Sequence, residues 1–203
     1  PECETLGAVA VVGDRVPEGM LDLRAEITAS SPELERIPNA LTDPMLMYFS
    51  SGTTGMPKMV QHVQSYPLGH IVTAKYWQQV EENGLHLTVA DSGWAKFSWG
   101  KIYGQWISGS AVLGYDMDRF DPHKLLSVME KYKITTFCAP ATMYRFMIKE
   151  DIAKYDLSSI KHATTAGEAL NPEVFHQFKK ATGLSVMEGF GQTETTLVLG
   201  NFI

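Results

Sequence analysis

Tyr48-Phe49-Ser50-Ser51-Gly52-Thr53-Thr54-Gly55-Met56-Pro57-Lys58 is the stretch on which the reading of this chain turns. It leaves an apolar run, crowds hydroxyl side chains around two glycines and closes on a lysine. Gly52 and Gly55 carry no Cβ, so the backbone can turn sharply and approach a ligand closely. Successive backbone N–H groups in such a turn make an anion-binding concavity, and Ser50, Ser51, Thr53 and Thr54 add hydroxyls beside it. Lys58 supplies a mobile positive charge. The ligand suited to this chemistry is a phosphate chain. A Walker A loop is excluded, because there the lysine is followed by Ser or Thr and opens a helix. Here Lys58 lies between Pro57 and Met59, and residues 58–63 alternate as a strand does. With the strand-like residues 45–49 in front, the pattern predicts a β-hairpin carrying the phosphate loop at its tip.

Upstream, residues 6–12 read as a short buried strand, and residues 13–44, punctuated by Pro17, Pro32, Pro38 and Pro44, as a connecting segment with one short helix near 20–28. Residues 45–203 read as an αβ core. Helical spacing puts Leu68, Ile71, Val72 and Tyr76 on one face of a helix over 65–80. A strand over 86–90, the turn Asp91-Ser92-Gly93-Trp94, a helix over 101–108 and a buried strand over 110–115 follow. Asp121-Pro122 and Asn171-Pro172 are helix starts, an N-cap before a proline at the first helical position. Leu125, Leu126 and Met129 face the core on the first of these helices, and Val174, Phe175, Phe178 and Ala181 on the second, which Gly183 ends. Between them come a strand over 135–139, a helix from Pro140 with Met143, Phe146 and Met147 on one side, and a strand over 162–165; a last strand covers 185–190.

Short apolar strands alternating with amphipathic helices predict an α/β fold, a largely parallel βαβ sheet with flanking helices plus the phosphate-loop hairpin. Ligands in such sheets lie at the carboxyl ends of strands. That rule directs attention to Ala90 to Trp94, Ala166 to Glu168 and Glu188 to Glu194.

The 203 residues suffice for one ordinary domain, and 44% hydrophobic with 20% charged residues is a globular composition. A net charge of -6 argues against nucleic acid as a bulk partner. No stretch has membrane-spanning length. Cys3 and Cys138 have no metal or redox spacing. Residues 1–4 do not read as a signal peptide, and the cytoplasm is the expected compartment.

Glu188-Gly189-Phe190-Gly191-Gln192-Thr193-Glu194 combines backbone open to a flat ring with a hydroxyl and a carboxylate. Magnesium prefers one or two carboxylates plus phosphate oxygens and water, a role open to Glu194. This stretch and the opening one resemble the two signatures of the adenylate-forming (AMP-binding) superfamily, which includes acyl-CoA synthetases, adenylation domains of peptide synthetases and luciferases. Every position of the phosphate signature is met, with Phe49 as an extra residue beside Tyr48. The resemblance implies that Ser50, Ser51, Gly52, Thr53, Thr54, Gly55, Met56, Pro57 and Lys58 hold the β- and γ-phosphates of ATP. It implies that Glu188, Gly189, Phe190 and Gly191 border adenine, that Thr193 beyond Gln192 contacts the α-phosphate, and that Glu194 binds Mg²⁺. Thr193, Glu194 and Lys58 are the catalytic candidates. Ala166-Gly167-Glu168-Ala169 resembles a weaker element that lies along the adenosine, with Ala169 in place of a frequent proline.

Asp91-Ser92-Gly93-Trp94 is similar to the Asp-x-Gly-Trp of acetyl- and medium-chain acyl-CoA synthetases. This implies an acyl pocket built from Trp94, Ala95, Trp99, Ala166 and Gly191, with Phe97 as a further bulky candidate; Trp94 and Trp99 fit a core role equally well, and Lys96, at a lining position after the Trp, fits such a pocket only if directed outward. Gly191 stands where acetyl-specific members carry a tryptophan, which implies room for a medium-chain or aromatic acid. His62 matches a histidine common after the phosphate loop, and reads as a structural strand residue.

The resemblance implies a ligase of fatty-acid metabolism that uses ATP, Mg²⁺ and CoA to convert an acid through an acyl-adenylate into an acyl-CoA. Delivery to a carrier-protein thiol, or a module that only binds nucleotide, are the alternatives. Residues 1–203 match a partial acyl-CoA synthetase-like large domain, with the C-terminal lid domain, its lysine and the ribose-binding Thr-Gly-Asp absent. The isolated chain is therefore expected to be inactive and to expose apolar surface that favours self-association.

Overall fold

The fold is described from a computed structural model, which describes residues 5–50 and 55–202. The chain divides into two units, Pro1–Asn39 and Ala40–Ile203.

In the first unit, β1 (Ala10–Val11) pairs in parallel with β2 (Leu21–Asp22), and β2 runs into α1 (Leu23–Ala29). The Asp22 carboxylate caps that helix by accepting from the Arg24 and Ala25 N–H groups. The buried strand expected over 6–12 is only two residues long and is not buried; Leu6 and Val12 are about three-fifths exposed. A two-residue ribbon and a two-turn helix provide no second layer for an apolar face to pack against.

The second unit opens with the expected hairpin. β3 (Pro44–Ser50) pairs antiparallel with β4 (Lys58–Val63), with Tyr48 opposite Val60 and Ser50 opposite Lys58. The tip residues Ser51, Gly52, Thr53 and Thr54 lie outside the described residues. Then α2 (Tyr66–Ile71) passes directly into a π-helical segment, Val72–Trp77. The apolar face expected here is corrected. Leu68, Val72 and Tyr76 are about half exposed, whereas Tyr66, His70, Thr73, Ala74 and Trp77 are buried. Apolar periodicity missed that stripe because two of its members are polar; His70 Nδ1 and Thr73 Oγ1 lie 3.1 Å apart and satisfy each other.

The remaining elements are β5 (Leu85–Thr88), α3 (Ala95–Lys101), α4 (Tyr103–Ile107), β6 (Ala111–Val112), α5 (Pro122–Tyr132), β7 (Thr136–Ala139) and α6 (Ala141–Met147). A 3₁₀ turn (Ile152–Lys154), β8 (His162–Ala166), α7 (Pro172–Thr182), β9 (Val186–Gly191) and β10 (Leu197–Gly200) complete the unit. They build one six-stranded sheet in the order β10-β9-β8-β7-β5-β6. All its pairings are parallel except that of β10, which returns antiparallel along β9. The parallel α/β sheet is as expected; the antiparallel edge strand is not, and the strand expected over 110–115 contracts to the two residues of β6 at the opposite edge.

Leu125, Leu126 and Met129 of α5 and Phe178 of α7 are fully buried against Phe137, Tyr144 and Ile134. Both proline-marked helices start as read, with Asp121 accepting from His123 and Lys124 N–H groups and Asn171 from Glu173. On α6 the core face is Ala141, Tyr144 and Met147, while Phe146 is 42% exposed. Next to the β6 edge of the sheet, Thr88 Oγ1 of β5 donates to the Gly100 carbonyl at 2.9 Å. Its single proton is then spent, so His86 Nε2–H donates to Thr88 Oγ1 (2.8 Å) and Nδ1 accepts from Thr136 Oγ1 (2.7 Å). This buried relay ties β5, β7 and α3 together.

Candidate active site

The carboxyl ends of β5, β7, β8 and β9 converge on a cavity of about 700 Å³. Val89, Ala90 and Asp91 continue β5; Pro140, Thr142 and Met143 follow β7; Ala166, Gly167 and Glu168 end β8; Gly191, Gln192 and Thr193 end β9. Trp94, Ala95, Lys96 and Trp99 close it from α3, and His70 and Thr73 from the helix after the hairpin. A second cavity of about 420 Å³ is bordered by Gly167, Glu168, Ala169, Glu188, Gly189, Phe190 and Gly191 and by Leu199 to Asn201 of the edge strand. Gly167, Glu168 and Gly191 line both.

The walls are held by backbone-directed hydrogen bonds. The Asp91 carboxylate accepts from Gly93 N at 2.7 Å and fixes the turn that presents Trp94. Glu168 accepts from Thr142 N (3.0 Å) and Thr142 Oγ1 (2.8 Å), joining the start of α6 to the loop after β8. The Thr142 N–H, then its hydroxyl and the charges of Arg145 and Lys96, hold the Glu168 carboxyl below the usual range against a partial burial penalty. Glu188 accepts from Leu170 N at 3.2 Å. The loop carrying Thr193 is anchored from the hairpin side. His62 Nε2 lies 2.7 Å from the Thr193 carbonyl, which can only accept, so that nitrogen carries the proton. The Tyr66 hydroxyl donates to the Thr195 carbonyl at 3.4 Å, and the His62 and Tyr66 rings stack with centroids 3.8 Å apart.

Of the residues expected in the acyl pocket, Trp94, Ala95, Trp99, Ala166 and Gly191 all line the larger cavity. Gly167, Glu168, Ala169, Glu188, Gly189, Phe190 and Gly191, expected along the nucleotide, line the smaller one, and Gln192 and Thr193 the larger. The described phosphate-loop residues Ser50, Gly55, Met56, Pro57 and Lys58 line neither cavity, and Lys58 is exposed on β4. Glu194 is exposed and also lines neither. Among the described residues no cluster of three or more His, Cys, Asp or Glu side chains could hold a metal. A lone carboxylate beside the α-phosphate candidate still fits magnesium, which takes most of its ligands from phosphate and water.

Two expectations are corrected. Phe97 does not line the cavity; the Lys101 ammonium lies 4.6 Å over its ring. Lys96 is not directed outward but lines the larger cavity, and its Nζ donates to the Ala166 carbonyl. Burial depresses its pKa, opposed by the nearby Cys138 and Glu168. Gly191 has a second reason to be glycine: a Cβ there would fall 2.5 Å from the Thr196 carbonyl oxygen across the β9–β10 pairing.

Pro140, Thr142 and Met143 were missed, although the strand-end rule applied to β7 would have found them. His70 and Thr73 had no such signal, because only packing brings α2 under the sheet's carboxyl edge. Among the described residues, no helix is long and apolar enough to cross a membrane.

Comparison with known proteins bears on the family and the fold. The family described as AMP-binding enzyme matches residues 3–202. The chain is 38% identical over 202 residues to the mitochondrial acyl-coenzyme A synthetase ACSM3 of Rattus norvegicus, covering 99% of this chain and 35% of that protein. It is 36% identical to human mitochondrial ACSM5, covering 98% and 34% respectively. The chain thus spans about a third of the length of these relatives. Among solved structures it superposes on the anthranilate CoA ligase AuaEII in complex with anthranoyl-AMP at a TM-score of 0.87 and 27% identity, over 97% of this chain and 39% of that one. On the acyl-CoA synthetase of Brucella canis the TM-score is 0.85 at 26% identity, over 95% and 35%. The mitochondrial naming of the ACSM relatives overturns the expected cytoplasmic location.

Proposed function

The chain belongs to the AMP-binding enzyme family, and from that premise we propose that it forms the acid- and nucleotide-binding part of an ATP-dependent acyl-CoA synthetase. The observation that carries the reading is the pair of adjoining cavities sharing Gly167, Glu168 and Gly191. The acid occupies the larger, between Trp94 and Trp99; the adenosine occupies the smaller, between Gly167 to Ala169 and Glu188 to Gly191. A bond between the two ligands would then form where the cavities meet at Gly167, Glu168 and Gly191, with Thr193 two residues beyond on the wall of the larger.

In the first step a carboxylate oxygen of the acid attacks the α-phosphorus of ATP, and pyrophosphate leaves with the electrons of the broken P–O bond. In the second the thiolate of CoA attacks the acyl carbonyl and AMP leaves. Both partners of the first step are anions, so the main electrostatic need is to stabilise charge on the phosphates. Ser50 to Lys58 hold the β- and γ-phosphates, Thr193 donates to the α-phosphate, and Glu194 ligates Mg²⁺. When bound, that ion supplies charge neutralisation at the phosphate oxygens. His62 and Tyr66 keep the Thr193 loop in register with the hairpin.

The ACSM relatives favour CoA over a carrier-protein thiol as acceptor. The cavity volume and the anthranoyl-AMP complex of the structural neighbour favour a medium-chain or aromatic acid. Met45, Met47, Phe49 and Met59 expose one apolar face of the hairpin, which supports self-association of the isolated chain.

The test is acid-dependent pyrophosphate exchange by the full-length protein, across aliphatic acids of increasing length and benzoate. Exchange strongest with medium-length or aromatic acids is expected, and Thr193→Val or Glu194→Gln should lower it by roughly 100-fold. Exchange with acetate alone would overturn the open pocket. No exchange with any acid would leave a module that only binds nucleotide.

A further inference from the structure

We propose that Lys96 selects carboxylic acids whose tail carries an oxygen acceptor, by donating its ammonium N–H groups to that oxygen inside the larger cavity. This rests on the larger cavity being the acid's pocket. Lys96 is the second residue of α3, so the helix itself brings the side chain to the cavity wall. Its Nζ reaches across to the Ala166 carbonyl, at the carboxyl end of β8. An ammonium has three donors and no acceptor, and that contact uses one. Among the described residues Lys96 forms no ion pair. Glu168, whose charge favours the ammonium, is engaged by both donors of Thr142 instead.

Apart from Glu168, the side chains on which Lys96 rests at the end of β8 are apolar. Ala166 belongs to a cluster with Trp77 and Cys138, against which Trp99 and Leu197 pack. Val89, Trp94 and Met143 complete the neighbouring wall. A hydrocarbon tail filling this space would strip water from the remaining ammonium donors and return no partner, which is unfavourable for a buried cation. A keto, hydroxyl or ether oxygen placed there restores a hydrogen bond. Sites that hydrogen-bond a substrate group discriminate against the analogue lacking it far more strongly than apolar pockets discriminate by size. A phosphate oxygen could satisfy the same donors, but the contact of Lys96 is with Ala166, a member of the apolar cluster. The acid is therefore the occupant that the surroundings select.

Pyrophosphate exchange by the full-length protein tests this with matched pairs, pentanoate against its keto analogue levulinate and benzoate against its para-hydroxy analogue. Wild type should prefer the oxygenated member of at least one pair by about tenfold or more in kcat/KM. Lys96→Met should bring that ratio close to unity, and Lys96→Arg, which keeps a donor, should retain a preference. A wild-type ratio near unity, or one that survives Lys96→Met, overturns the proposal while leaving adenylation intact. A rise in the KM for ATP that is equal for all four acids in Lys96→Met assigns the lysine to the phosphates and also overturns it. Absence of exchange with every acid overturns the synthetase reading and this inference with it.

Discussion

His86 has no exposed surface and both its ring nitrogens are engaged, Nε2 as donor to Thr88 and Nδ1 as acceptor from Thr136. Burial lowers its pKa to about 3, against a stabilising contact with Gly100 and with a further lowering from Lys101. His70, buried beside His62, is lowered to about 4, mainly by burial and then by the charge of its neighbour. An imidazole in the unfolded chain titrates near 6.5, so between that value and the folded ones the unfolded state binds more protons. The stability from these two residues is therefore complete above about pH 6.5 and is lost as the pH falls toward the folded values. Thermal midpoints followed from about pH 7 to about pH 5 should decline, and His70→Gln, which cannot charge, should decline less steeply. Equal slopes would show that His70 takes no part. A histidine in a sequence carries no mark of this role; the two threonines that decide the His86 tautomer come from a different strand and from two residues downstream.

Helices α5 and α7 show how far a sequence determines an element. Asp121-Pro122 and Asn171-Pro172 set their starts through local hydrogen bonds and fixed backbone angles, and both starts are found as read. Asp121→Ala should destabilise the protein by about 1 kcal/mol through the lost cap, and Phe178→Ala by about 3–5 kcal/mol through the cavity it leaves in the core. Urea unfolding would measure both, and near-equal losses would contradict the ranking. The helix after the hairpin was legible in existence but not in orientation. Its buried face carries His70 and Thr73, and its apolar Leu68, Val72 and Tyr76 face outward. A passage from α- to π-helical geometry at Val72 also shifts the phase of the side chains, which a fixed helical period cannot follow. On α6 the hydroxyl of Tyr144 reaches the Thr164 carbonyl at 2.9 Å, so a tyrosine takes the core position that Phe146 was expected to fill.

The two units differ in how their residues are protected. No described residue of Pro1–Asn39 is buried, whereas Ala40–Ile203 contains the whole of both apolar clusters. Segments with few buried contacts open at low free-energy cost. Limited proteolysis should therefore cut first within residues 5–39 and leave residues 66–191 resistant, with mass spectrometry locating the sites. Early cleavage inside β7 or β8 would contradict the assignment of the core.

The sequence by itself determined the family, the hairpin, the parallel sheet and part of the wall of the two cavities, among them Trp94, Trp99, Ala166 to Ala169 and Glu188 to Thr193. Each of these rests on neighbours in the chain: consecutive glycines and hydroxyls, a cap before a proline, apolar alternation at a fixed period. The tertiary structure decided that β10 returns antiparallel, that Gly191 yields to the Thr196 carbonyl, and that His62 holds the Thr193 loop. It also turned Lys96 inward to the end of β8. These depend on groups far apart in the chain, where the outcome follows from which donors and acceptors packing leaves facing one another.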